Sequence, residues 1–171
     1  MFLASNSSHT TPRYVYLLRL VRDLGIRAIA PTDASRTIEL GSVIVTVFPQ
    51  PPEDPAEENN NSVGLQVQHG TFAALLPGDA QDEERRWWMG RVPELCANCT
   101  VLKLAHHGSR NGTDARWLEL VQPRLAVASL GRANEYGHPH PEILDLLGQA
   151  RVPLLRTDRD GTIAIRVDGN R

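Results

Sequence analysis

The stretch that decides the fold is Val63–Asp79, VGLQVQHGTFAALLPGD. Val63–Gln68 and Thr71–Leu76 flank His69-Gly70, a dipeptide suited to a tight β-hairpin turn. The second segment runs into Pro77-Gly78-Asp79, and there the pattern changes. N-terminal to it, strand candidates predominate: Ile26–Ala30, Thr37–Leu40 and Val43–Phe48, with a turn at Gly41-Ser42. They follow one helix, opened by Thr11-Pro12 as N-cap and first helical residue and closed by Gly25, with Tyr14, Leu17, Leu18, Val21 and Leu24 at helical spacing. Met1–His9 reads as a polar lead-in with His9 solvated, and Pro49–Asn60 as a proline- and acid-rich loop. C-terminal to Asp79, helices and strands alternate: helix Gln81–Met89, strand Thr100–Ala105, helix Thr113–Val121, strand Leu125–Leu130 and helix Pro141–Ala150. Strands Pro153–Arg156 and Thr162–Val167, joined through Asp160-Gly161, close the chain. Hairpins first and βα units later predict an α/β protein with a mixed sheet and flanking helices.

The bulk properties agree with one soluble domain over residues 1–171, 41% hydrophobic and 22% charged. Eighteen basic against twenty acidic residues give a net charge of −2, so no overall positive field draws in nucleic acid. No run of apolar residues approaches a membrane span, and no basic-then-apolar leader opens the chain. The two cysteines, Cys96-x-x-Cys99, make no disulfide framework and lack the second pair of a structural zinc site. A cytoplasmic location is the expectation for the chain as given. Lys103 is the only lysine, which reads as background arginine usage.

Reactive residues stand at three strand ends, where open α/β sheets gather their sites. Asp79 follows an apolar strand and a glycine turn; it either bridges cations or caps the next helix. His106-His107 follow a buried strand, and the turn at Gly108 lets both imidazoles reach one pocket as metal ligands or proton carriers. Ser109 and the N–H groups beside it suit a phosphate oxygen. The loop from Ser129 to Pro141 is stiffened by glycines and prolines and carries Asn134, Tyr136, His138 and His140 as its polar content; metal ligation, substrate contact and plain loop structure all remain open there.

Taken in order, Asn61-Ser62, Leu75-Leu76-Pro77-Gly78-Asp79, Lys103-Leu104-Ala105-His106-His107-Gly108-Ser109 and Ser129-Leu130-Gly131-x-x-Asn134-x-Tyr136-Gly137-His138-Pro139 closely resemble one family. It is the metallo-β-lactamase-like domain at the C-terminus of ComEC-family competence proteins, which move DNA into bacteria. Arg156-Thr157-Asp158-x-x-Gly161-Thr162-Ile163 is similar to that family's closing hairpin, and the resemblance runs from Pro12 to about Gly169. It implies the C-terminal portion of an αββα sandwich and a hydrolase using zinc or manganese on DNA or another phosphodiester. Asp79 falls on the family's bridging aspartate, His106 and His107 on its late histidine motif, and His138 on the loop lining the same cleft. Asp79, His106 and His107 are the implied catalytic and metal set, with Ser109, Asn134 and His138 contacting substrate.

The family's His-x-His-x-Asp-His motif does not occur in these residues, and a further ligand position falls near Asn61. The expectation is therefore a partial domain, a fragment or a misplaced start, with weak or absent metal and impaired catalysis. Missing strands would leave an exposed sheet edge and apolar face, favouring self-association. Two alternatives are carried: a non-catalytic, self-associating or DNA-contacting remnant, and a metallohydrolase of a small ester or thioester. A longer competence protein containing this chain would be membrane-associated or periplasmic.

Overall fold

In the computed structural model, which describes residues 1–5, 11–53 and 57–168, strand alternation and helix periodicity build one mixed sheet. Four strands form an antiparallel meander: β3 (Arg36–Leu40), β4 (Val43–Val47), β5 (Leu65–His69) and β6 (Phe72–Leu76). From β6 onward the pairing is parallel, through β7 (Val101–Lys103), β8 (Leu125–Ala128) and β9 (Leu154–Arg156). The seven strands lie side by side in sequence order. Two short strands, β1 (Phe2–Leu3) and β2 (Ala28–Ile29), pair separately.

Helices carry each parallel crossover. They are α2 (Asp82–Arg91) and α3 (Pro93–Cys96) before β7, α4 (Ala115–Val121) before β8 and α5 (Pro141–Gln149) before β9; a last turn, α6 (Thr157–Asp160), follows β9. Parallel strands added in one direction by right-handed crossovers place their helices on one face. The core is accordingly built there, from Leu75, Leu102, Ala126 and Ala128 of the sheet and Trp88, Trp117, Leu118, Val121, Ile143 and Leu147 of the helices. Trp88 stands edge-on to Phe48, 5.2 Å away, and donates its indole N–H to the Pro49 carbonyl at 2.9 Å. Cys96 and Cys99 are buried free thiols of this core, and burial pushes both up to about 12.

Register decides what the opposite face carries. Val45 opposes Val67, Val67 opposes Ala74, Ala74 opposes Val101 and Val101 opposes Leu125, while Leu65 opposes Leu76. This second face is apolar, yet most of it is only half-buried, and β3 is an exposed edge.

Several expectations change. α1 spans Pro12–Asp23 with Thr11 accepting from the Tyr14 N–H, as its sequence predicts, but only Val21 of its apolar stripe is buried. Leu17, Leu18 and Leu24 stay on the surface. The hairpin turn falls at Gly70-Thr71, one residue later than expected, so His69 ends β5 and meets the Ser42 hydroxyl at 3.0 Å. Residues 162–167 form no strand: Asp160 accepts the Arg156 N–H at 2.7 Å and closes α6 instead of a hairpin. His9, residues 54–56 of the acidic loop and Gly169 lie outside the described residues. Among the described residues, no helix is long and apolar enough to cross a membrane.

Candidate metal centre

The carboxyl ends of β6, β7 and β8 are neighbours, and the loops leaving them converge as open parallel sheets require. The first loop is Pro77-Gly78-Asp79. Asp79 does not cap α2, whose N-cap is Gln81. Its N–H is held by the Ser62 hydroxyl at 3.0 Å, and its carboxylate Oδ1 faces the Lys103 Nζ at 3.2 Å. The same ammonium donates to the Gly78 carbonyl at 2.6 Å, tying the last residue of β7 to the turn after β6. Partial burial pushes the Asp79 carboxyl up, but Lys103 and the two histidines offset this and hold it below the usual range.

The second loop turns sharply after Leu104, with His106 and His107 both in left-handed conformations at φ 45° and 57°. Such backbone is costly for residues with side chains and persists only where surrounding contacts hold it. The contacts are visible. The His106 N–H donates to the Gly78 carbonyl at 3.3 Å, and the Ser109 N–H returns to the His106 carbonyl at 2.9 Å. A Cβ on Gly112 would press into the Ala105 carbonyl group, 2.9 Å from its carbon. Gly112→Ala is therefore expected to lower stability by about 1–3 kcal/mol through overpacking and to dislodge the histidine turn. Urea denaturation would show it, and an unchanged midpoint would refute the assignment.

The turn aims its two imidazoles differently. His107 Nδ1 lies 2.5 Å from the Ser129 carbonyl, after β8, and its Nε2 lies 3.5 Å from Asp79 Oδ1. A carbonyl only accepts, so Nδ1 carries a proton, and Nε2 is the ring nitrogen left facing the carboxylate. His106 instead lies edge-on to His138, with ring centres 5.6 Å apart, and its buried Nδ1 has no hydrogen-bond partner. His138 lies 4.7 Å from His140, and burial followed by the charges of its histidine neighbours holds it below the usual imidazole range.

The remaining candidates shape these loops. Asn134 accepts from the His138 N–H at 2.8 Å and donates to the His138 carbonyl at 3.1 Å, so its amide staples its own loop. His140 accepts the Arg110 N–H at 3.0 Å through Nδ1, joining that loop to the histidine turn. Ser109 is buried, and its N–H is committed to His106 and not to an anion. Asn61 is buried in a turn, with its amide directed at the Glu57 and Glu58 carbonyls. Sequence reasoning gave no role to Lys103 or Ser62. The signal for Lys103 was present: the only lysine of the chain stands at the end of the strand that carries the histidine motif.

Asp79 and His107 fit one edge of a metal shell. Donors about 2.0–2.2 Å from a tetrahedral ion are separated by roughly 3.4 Å, and the Asp79–His107 separation is 3.5 Å. Among the described residues, no group of three or more His, Cys, Asp or Glu side chains is placed to hold a metal ion.

No protein-family model matches the sequence. The chain is 33% identical over 155 residues to ComE operon protein 3 of Bacillus subtilis, covering 91% of this chain and 20% of that protein. It is 34% identical over 107 residues to competence protein ComA of Neisseria gonorrhoeae, covering 63% of this chain and 15% of that one. Against recombination protein 2 of Haemophilus influenzae the identity is 27% over 108 residues, for 63% of this chain and 13% of that protein. The chain thus spans a fifth or less of the length of these relatives. Among solved structures, CmlA, a diiron β-hydroxylase from Streptomyces venezuelae, is similar with a TM-score of 0.58 at 14% identity, over 90% of this chain and 38% of that one. That likeness is one of fold, and it is consistent with the sandwich architecture that the sequence resemblance implies.

Proposed function

We propose that this chain, related in sequence to competence proteins of the ComEC type, supplies one wall of a metal-dependent phosphodiester hydrolase site that acts on DNA during uptake. The observation that carries the reading is the facing pair of potential ligand atoms, Asp79 Oδ1 and His107 Nε2, 3.5 Å apart. With the Nε2 proton displaced, both atoms would offer lone pairs to one cation. A divalent ion held by Asp79 and His107 would supply a more acidic bound water and polarise a phosphoryl oxygen.

The chain's own residues do the rest. Ser129 fixes the His107 tautomer through its carbonyl. Lys103 keeps Asp79 ionised and, with Ser62, fixes the turn that carries it. His106 and His138 lie edge-on to each other on the adjoining loops, and an N–H from either would serve a phosphate oxygen. Zinc or manganese both suit a carboxylate and imidazole donor set.

The full chain is to be titrated with Mn²⁺ and Zn²⁺ by calorimetry and assayed on single-stranded DNA, a phenyl phosphodiester and a thioester. Asp79→Ala and His107→Ala are each expected to weaken ion binding about tenfold or more, in line with the loss of an inner ligand or its support, and to remove the residual phosphodiester cleavage that the partial site supports. Metal affinity indifferent to both substitutions would overturn the reading. The donor count favours one second reading, in which the same cleft binds DNA without cleaving it; binding of single-stranded DNA without turnover distinguishes it.

A further inference from the structure

A cavity of about 200 Å³ opens beside His107, between the segment after β8 and the loop that ends at His138. Its lining is mostly apolar, with Leu130, the bare backbone of Gly131 and the ring of Tyr136. The Ser129 carbonyl and the Asn134 amide beside it are already engaged: the carbonyl takes the His107 N–H, and the amide is spent on His138 and Gly131. Tyr136 is 78% exposed, yet it is not free to wander: its ring lies stacked on His138, with centres 5.7 Å apart and planes at 26°. An aromatic ring held flat at the mouth of an apolar cavity, beside a candidate phosphodiester site, suits a planar heterocycle attached to a phosphate.

We infer that this cavity is a nucleobase subsite, taking one unpaired base of a single-stranded nucleic acid against Tyr136 while the adjoining phosphodiester lies toward His107 and Asp79. This rests on the phosphodiester reading and names the part of the substrate that the site grips. The base must be unpaired, because a paired base is already stacked between its neighbours. Stacking is tolerant of sequence, since every base presents a π-face. With the surrounding amide and carbonyl groups committed, the subsite has little left with which to read a base edge, so the expected preference is for single strands of any sequence.

The test uses the full chain and fluorescence anisotropy with three probes: an oligothymidylate, an abasic oligonucleotide of equal length and a duplex. Oligothymidylate is expected to bind more tightly than either of the others. Tyr136→Ala should weaken its binding roughly tenfold or more, the scale of one lost base stack, and leave the abasic probe unchanged. Tyr136→Phe, which keeps the ring, should retain the wild-type preference. Equal binding of oligothymidylate and abasic probe, with Tyr136→Ala silent, overturns the subsite and leaves the phosphodiester reading standing. Equal binding of the duplex also overturns it. Failure of every probe to bind brings down both.

Discussion

Arg85→Ala is expected to lower the stability of this protein by about 2–5 kcal/mol, the range for truncating a large, fully buried side chain. Arg85 lies on α2 with no exposure at all. Its guanidinium is paired with Asp82, donates to Asp114 Oδ2 at 3.2 and 3.3 Å and stands 5.7 Å over the Trp117 ring. Asp114 in turn caps α4, accepting the Trp117 N–H at 2.8 Å. Truncation therefore leaves a void beside Trp117 and takes the guanidinium from Asp114, while Asp82 keeps Arg86 at 3.2 Å. Arg85→Met keeps most of the stem volume and so separates packing from charge; it should recover part of the loss. Arg85→Lys should recover less than its charge suggests, because one ammonium cannot serve both carboxylates as the planar fork does. Urea denaturation reads all three. A loss below about 1 kcal/mol for Arg85→Ala, the level of an exposed pair, would mean that the guanidinium does not bind these helices together.

Glu84→Gln should act in the opposite direction, and only at high pH. Glu84 is 1% exposed, and burial pushes its carboxyl up to about 8, opposed only in part by the Ser62 N–H at Oε2. The folded chain therefore holds a proton that the unfolded chain releases above its ordinary pKa of 4.5. The sign follows from linkage: stability falls as pH climbs from the unfolded value to about 8 and is level beyond it. Glutamine stays neutral throughout. The variant is expected to match the wild type at about pH 5 and to exceed it by on the order of a few kcal/mol at about pH 9. Melting curves that remain parallel across that interval would refute a buried, proton-holding Glu84. The position matters to the site, because Glu84 holds Ser62, and the Ser62 hydroxyl holds the Asp79 N–H.

Much of the fold was legible residue by residue. The change from hairpins to crossover helices at Gly78-Asp79, the N-cap at Thr11 and the inward set Trp117, Leu118 and Val121 all follow from local pattern, and the structure has them. The errors have separate causes. Tyr14, Leu17, Leu18, Val21 and Leu24 form a stripe that periodicity reads as buried, but burial needs an opposing surface, and among the described residues α1 meets little of one. Thr162–Val167 has strand chemistry, but the Arg156–Asp158 and Arg156–Asp160 contacts turn the chain before it can pair with β9.

The candidate site divides in the same way. The sequence by itself determined which residues stand at the ends of β6, β7 and β8, because strand ends and turn residues are set by neighbours along the chain. It could not say that His107 faces Asp79 while His106 turns to His138, nor that Lys103 joins the pair, nor that Asn134 is consumed by its own loop. Those assignments depend on strand register and on left-handed backbone at two adjacent histidines. Both are settled by contacts between segments about twenty to forty residues apart, whose energies no local pattern contains.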